Sequence, residues 1–162
     1  MPPISVWAVS AWLIIALTAE AAGLAFAFLK PPVFMHGEYL NVAACILFGG
    51  IGGLTYCLRG VYLNASVHKR WVPGWLPWYV LRPVVSLVLG GISYLFVKSG
   101  LLLLGSEQTS AGTPLGIWSL SFIAGLNVDR FVSKIEEVGS TVWGVEPSRT
   151  SKNSSHSQSI QN

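Results

Sequence analysis

The stretch YLNVAACILFGGIGGLTYCL, residues 39–58, is twenty residues long and contains no charged side chain. A helix of about twenty apolar residues crosses the hydrocarbon core of a bilayer, which is roughly 30 Å thick. The stretch therefore predicts a membrane-spanning helix. Four glycines lie in it: Gly49, Gly50, Gly52 and Gly53. Glycines four residues apart let a second helix approach closely, and that helix can belong to the same chain or to another subunit.

Three further apolar runs predict three further spans, at residues 4–29, 84–104 and 114–132. The last run reaches span length only if its helix continues through Asp129 and Arg130. Charged residues make up 10% of the chain and apolar residues 52%, whereas a soluble domain carries about 25% charged residues. The composition favours an all-α polytopic membrane protein, a bundle of four transmembrane helices. We expect the lipid bilayer to be its surroundings, and no nucleic acid to be a partner.

The segments outside the spans have different characters. Residues 59–83 combine tryptophans with basic residues and contain Pro73 and Pro77, so we expect an irregular stretch at the membrane surface. Residues 129–143 place apolar side chains at helical spacing opposite charged ones, which predicts an amphipathic extension. That extension can lie on the membrane, pack under the bundle or meet a partner. Residues 1–146 form the membrane unit in this interpretation, and 147–162 a disordered polar tail.

Basic residues are distributed unevenly about the predicted spans, and this bias sets orientation. One group lies between the second and third spans and another follows the fourth: Arg59, Lys69, Arg70 and Arg82, then Arg130, Lys134, Arg149 and Lys152. Four spans place both groups on one side of the membrane. The sequence therefore predicts a multi-pass protein with its N- and C-termini in the cytoplasm.

Two charged residues fall inside predicted spans, Glu20 in the first and Lys98 in the third. Charges within a membrane are costly unless they are paired, neutralised or facing water. Helix lengths place both residues in the outer half of the bilayer, which predicts an ion pair. The alternatives are a Glu20 that binds a proton or cation and a Glu20 that reaches the outer interface. At the cytoplasmic boundary we expect Arg82 to pair with Asp129; the alternative is that Asp129 and Arg130 solvate the end of a helix.

The string Ala19-Glu20-Ala21-Ala22-Gly23 resembles part of the first helix of the small multidrug resistance transporters. The resemblance implies exchange of protons for cations at the glutamate. It covers about one and a half helical turns. The later helices lack the tryptophan-and-glycine pattern of that family's third span, and this chain is longer.

The sequence contains no recognisable catalytic, cofactor-binding or metal-binding motif, and we expect none of these sites. The favoured hypothesis is a non-enzymatic membrane component that self-associates or binds another membrane protein, with a homo-oligomeric pore as one version. It rests on the glycines of the second span and on the amphipathic extension. The alternative is a small proton-coupled transporter that uses Glu20. A membrane enzyme acting on lipid is the least supported class.

Overall fold

A computed structural model describes residues 4–30, 37–68, 71–100 and 113–144, and within these ranges the chain is helical without strands. This confirms the all-α prediction. The five α-helices are α1 (Ile4–Leu29), α2 (Glu38–Tyr62), α3 (Leu76–Lys98), α4 (Pro114–Leu126) and α5 (Val128–Trp143). The chain divides into two units, and the first, which ends at Val128, contains α1 to α4. From Asp129 onward, α5 belongs to the second unit.

Among the described residues, three helices are long and apolar enough to cross a membrane. They are Ile4–Leu29, Glu38–Val67 and Leu76–Lys98, with mean hydropathies of 2.0, 1.6 and 1.9. Each is longer than the roughly twenty residues that a 30 Å hydrocarbon core requires. In length and composition these helices are consistent with a membrane protein.

The connection between the second and third predicted spans is more helical than expected. α2 continues past Leu58 to Tyr62, and one π-helical turn then carries it through Val67. α3 begins at Leu76, eight residues before the predicted start, with Pro83 inside the helix. The expectation of an irregular stretch over 59–83 is therefore wrong for most of its length. Pro77 lies in the first turn of α3, where its missing N–H has no intrahelical partner to lose.

The fourth predicted span also differs. Pro114 begins α4 as expected, and the Thr113 side chain caps it by accepting from the Gly116 amide at 3.2 Å. The helix ends at Leu126, however, and does not continue through Asp129 and Arg130. Asn127 leaves the helical conformation and separates α4 from α5. With 13 residues, α4 is about 20 Å long, shorter than the hydrocarbon core.

Within the first unit, α2 is the central helix and packs against α1, α3 and α4. α3 and α4 also pack against each other, so that α2, α3 and α4 form a three-helix core. α1 packs mainly on α2. One cluster of buried side chains joins α1 to α2, with Val6, Val9 and Leu13 facing Leu54 and Cys57.

Candidate functional site

The glycines of α2 lie against the backbones of the other core helices. A Cβ atom added to Gly49 would stand 2.6 Å from the Cα of Gly90 in α3. A Cβ atom added to Gly125 of α4 would overlap the Gly49 carbonyl oxygen. Side chains larger than hydrogen at these three positions would force the helices apart. The three helices therefore meet backbone to backbone around Gly49.

The next turn of α2 repeats this arrangement. A Cβ atom at Gly52 would overlap the Phe122 carbonyl of α4, and one at Gly53 would overlap the Ser86 hydroxyl of α3. The α2 glycines that the sequence singled out thus serve contacts within the chain, which was one of the two alternatives. They give no support to contact with another subunit.

Buried serines add hydrogen bonds to the core. The Ser86 hydroxyl lies 3.2 Å from the Gly125 carbonyl oxygen and 2.9 Å from that of Arg82. The hydroxyls of Ser93 and Ser121 are 2.7 Å apart and join α3 to α4. Hydroxyl groups that bond across helices satisfy polar atoms where no water is available. Sequence inspection missed these serines, although their alignment with Gly90 and Gly125 was a usable signal.

α1 meets α2 through a stripe with spacings of three and four residues, the pattern of one helix face. Its members are Val6, Val9, Leu13, Ala16, Glu20, Gly23 and Ala27, all buried or half-buried. Six of the seven are apolar or glycine. Glu20 occupies a central position in this stripe, so its side chain is directed toward α2 and away from the free face of α1.

The Glu20 carboxylate lies against Gly50, and we call this position, between Gly50 of α2 and Leu87 of α3, the Glu20 seat. A Cβ atom added to Gly50 would lie 2.7 Å from Glu20 Oε1 and 2.6 Å from a methyl group of Leu87 in α3. Leu87 is eleven residues from either end of α3, so this seat lies about 16 Å from each end of that helix. Glu20 Oε2 is buried and has no hydrogen-bond partner in the described part of the chain.

The predicted ion pair between Glu20 and Lys98 is wrong. Lys98 is the last residue of α3, and its ammonium group pairs with Glu38, the first residue of α2, at 2.5 Å. The prediction failed because it started the third helix at residue 84 and so placed Lys98 too deep. Both partners of the observed pair are exposed at the helix ends.

Arg82 is buried, with 8% of its surface exposed, near the start of α3. Its guanidinium carbon lies 4.2 Å from the ring centre of Tyr56 and 4.9 Å from that of Trp78. Contacts of this kind stabilise a cation over an aromatic face. Asp129 and Arg130 are exposed residues of the second unit, so the predicted pair between Arg82 and Asp129 stays a prediction.

A polar and aromatic network links the N-terminal part of α1 to α3. The indole nitrogen of Trp71 donates to the Ser5 hydroxyl at 2.9 Å, and its ring stacks on Tyr79. The Tyr79 hydroxyl accepts a hydrogen bond of 3.3 Å from Asn64. The tryptophan-rich segment therefore packs partly on the bundle, whereas its composition predicted contact with lipid headgroups.

Comparisons of the chain with protein-family models, with curated proteins and with solved structures give no match. The likeness of residues 19–23 to the small multidrug resistance transporters therefore stands on five residues alone.

Proposed function

We propose that this chain is a multi-pass membrane protein in which α1 to α4 all cross the bilayer and both termini are cytoplasmic. Three long apolar helices support the membrane assignment. α4 is apolar and packs along α2 and α3, which supports a fourth crossing despite its shortness. Arg59 and Arg82 lie toward the end of the bundle where α2 finishes and α3 starts, and Lys98 lies at the other end. Basic residues favour the cytoplasmic side.

This topology is tested with single cysteines at the two ends of the bundle. His68 and Ser99 are exposed residues at opposite ends. In sealed cells, a membrane-impermeant thiol reagent should label Ser99→Cys and leave His68→Cys unlabelled. The opposite result would invert the orientation. The native cysteines, Cys45 and Cys57, are buried and serve as the internal background.

Within this topology we propose that the protein is a membrane component that binds a second membrane helix along α1. The observation that carries this proposal is the packing of α1 mainly on α2, which leaves its opposite face uncovered. That face is exposed along its whole length, with small residues in its middle part: Ile4, Trp7, Ala11, Ile15, Thr18, Ala22, Ala25 and Leu29. Small residues three and four apart let a second helix approach closely, whether from another copy of the chain or from another membrane protein.

Cross-linking tests whether a second copy covers this face. In lipid nanodiscs, Ala22→Cys on α1 should form a disulfide-linked dimer under mild oxidation. Val88→Cys, equally exposed but on α3, is the matched control and should remain monomeric. The mass of the particle in the nanodisc then gives the number of subunits. A single higher-order oligomer would favour a pore, and a monomer without Ala22→Cys cross-links would rule out self-association through α1.

A second candidate function, proton-coupled transport, is supported by the buried Glu20 oxygen that lacks a partner in the described ranges. Ionisable residues inside membrane bundles commonly serve proton or ion pathways. In proteoliposomes with an imposed pH gradient, the wild-type protein should carry protons inward faster than empty liposomes do. Glu20→Gln should abolish this flux, whereas Glu38→Gln at the exposed helix end should preserve it. Flux that is insensitive to Glu20→Gln would reject this candidate.

A further inference from the structure

The Glu20 seat is unusual because a carboxylate occupies a position that the other members of its stripe fill with apolar side chains or glycine. Gly50 of α2 forms the floor of the seat, and Leu87 of α3 lies beside it. Glycine is required at the floor because a Cβ atom there would collide with the carboxylate and with the leucine. Among the residues that the structure describes, the packing accommodates the carboxylate and supplies no positive partner.

The neighbours of Glu20 restrict the ion it can hold. Gly50 offers only backbone, whose carbonyl groups are engaged inside the helix, and Leu87 offers methyl groups. The described residues contain no group of three or more His, Cys, Asp or Glu side chains that could share a metal ion. Ca²⁺ takes about six to eight oxygen ligands, and Mg²⁺ requires an octahedral shell. One carboxylate cannot replace the hydration shell of such ions.

Other titratable groups on the helices around Glu20 lie away from the seat along the helix axes. On α2 the nearest is Cys45, about 7 Å from Gly50 along the axis, followed by Tyr56, Cys57, Arg59, Tyr39, Glu38 and Tyr62. On α3 Arg82 is about 7 Å from Leu87 along the axis, and Tyr79, Tyr94 and Lys98 are farther away. An ionised carboxylate left alone in hydrocarbon is costly, and addition of a proton removes its charge without any further ligand.

We propose that Glu20, seated on Gly50, is a proton-binding site that rejects metal cations, and that Leu87 is the residue that sets this selectivity. Binding is a simple protonation: one carboxylate oxygen takes up a proton to give a neutral carboxylic acid. Leu87 acts by filling the space where a second oxygen ligand would otherwise stand. The inference rests on the same residue as the transport candidate and adds to it the exclusion of metal cations, but it concerns binding and does not depend on flux.

The test uses dicyclohexylcarbodiimide, an apolar reagent that adds the O–H of a protonated carboxylic acid across one C=N bond to give an O-acylisourea. The acyl group then moves from oxygen to nitrogen, which breaks its C–O bond, forms a C–N bond and leaves a stable N-acylurea. The full chain in nanodiscs of neutral lipid is treated across a pH series, and modified peptides are identified by mass spectrometry. Glu20 should be modified at low pH, and the modification should decline as pH rises. NaCl, KCl, MgCl₂ or CaCl₂ at constant ionic strength should not protect it. Glu20→Gln should remove the modified peptide.

Protection of Glu20 by any of these salts, relative to choline chloride, would overturn the proton assignment. So would a complete absence of modification at every pH. A failed transport assay would leave the labelling result standing, because labelling requires no movement of ions across the membrane. The failures of the two ideas are therefore distinguishable.

Leu87 is tested by a gain of function. Leu87→Asn places an amide oxygen beside the carboxylate, and the same salts should then slow the modification of Glu20 relative to choline chloride. Val88→Asn introduces the same amide one residue farther along α3, at an exposed position, and should give no protection. Leu87→Ser repeats the test with a smaller side chain in case the asparagine variant does not fold. Folded variants that remain unprotected would remove Leu87 from the selectivity assignment.

Discussion

α2 packs on α3 and α4 through glycines that bring the backbones together, whereas it packs on α1 through valine and leucine side chains and through Gly50, which lies against the Glu20 carboxylate. Within the three-helix core, buried serines add hydrogen bonds between α3 and α4. The interface of α1 with α2 instead contains the Glu20 carboxylate within its apolar stripe. We therefore expect substitutions in the core to cost more stability than substitutions in the α1 interface.

The largest effect is expected where a side chain would be added to the core. Gly125→Ala places a methyl group on the Gly49 carbonyl oxygen, and neither backbone can yield. We expect a loss of at least about 3 kcal/mol in the free energy of unfolding, the upper range for overpacking. Reversible unfolding in mixed micelles measures it. Gly23→Ala in α1 is the control.

The control glycine faces α2 with room to spare. A Cβ atom at Gly23 would lie 4.0 Å from the nearest Leu47 atom, an ordinary van der Waals contact. Alanine also favours the helix over glycine by roughly 0.5–1 kcal/mol. Gly23→Ala should therefore leave stability unchanged or raise it slightly. Equal losses in the two variants would show that the two interfaces of α2 do not differ in the way described.

A smaller effect is expected at the α1 interface. Leu13 is fully buried against Leu54 and Cys57, and Leu13→Ala should cost about 2 kcal/mol. This is the low end for such substitutions, because lipid solvates an exposed leucine as well as the core does. The reaction of Cys57 with a small thiol reagent reports the separation of α1. Its rate should rise in Leu13→Ala, while Cys45, which packs with α3 and α4 residues, should react no faster.

Much of this comparison could be predicted from the sequence, and the reasons for the rest are physical. The glycines of α2 indicated a close helix contact. Their partners, Gly90 and Gly125, could not be identified because they lie far along the chain. The inward position of Glu20 was present in the spacing from Val6 to Ala27, yet hydropathy alone does not reveal a helix face. The start of α3 was missed because Pro77 counts as a helix breaker in a sequence, whereas it lies in the first turn of α3, where no intrahelical N–H donor is needed. The end of α4 was missed because it depends on Asn127, a single residue in an otherwise apolar run.

The serine pair of the core should give a measurable but modest coupling. The hydroxyls of Ser93 and Ser121 lie within hydrogen-bond distance of each other, and each also lies within reach of a backbone carbonyl of its own helix, so two protons are shared among three contacts. A double-mutant cycle with Ser93→Ala and Ser121→Ala should give about 0.6 kcal/mol, the average found between membrane helices. The individual losses should exceed the coupling, because the hydroxyl protons also serve backbone carbonyls. A coupling of zero would mean that the two hydroxyls do not bond to each other.

The smallest effect is expected at the ion pair between Lys98 and Glu38. Both side chains are exposed, and water and dissolved salt screen the attraction between exposed charges. Lys98→Met should leave the unfolding midpoint unchanged at physiological ionic strength, and Glu38→Gln should do the same. Lys98→Met also distinguishes the observed pair between Lys98 and Glu38 from the pair between Lys98 and Glu20 that the sequence predicts. If Lys98→Met destabilised the protein and Glu20→Gln restored it, Lys98 would pair with Glu20 in the membrane. The carboxylate in the α1 interface would then have a partner, and the difference between the two sides of α2 would reduce to packing alone.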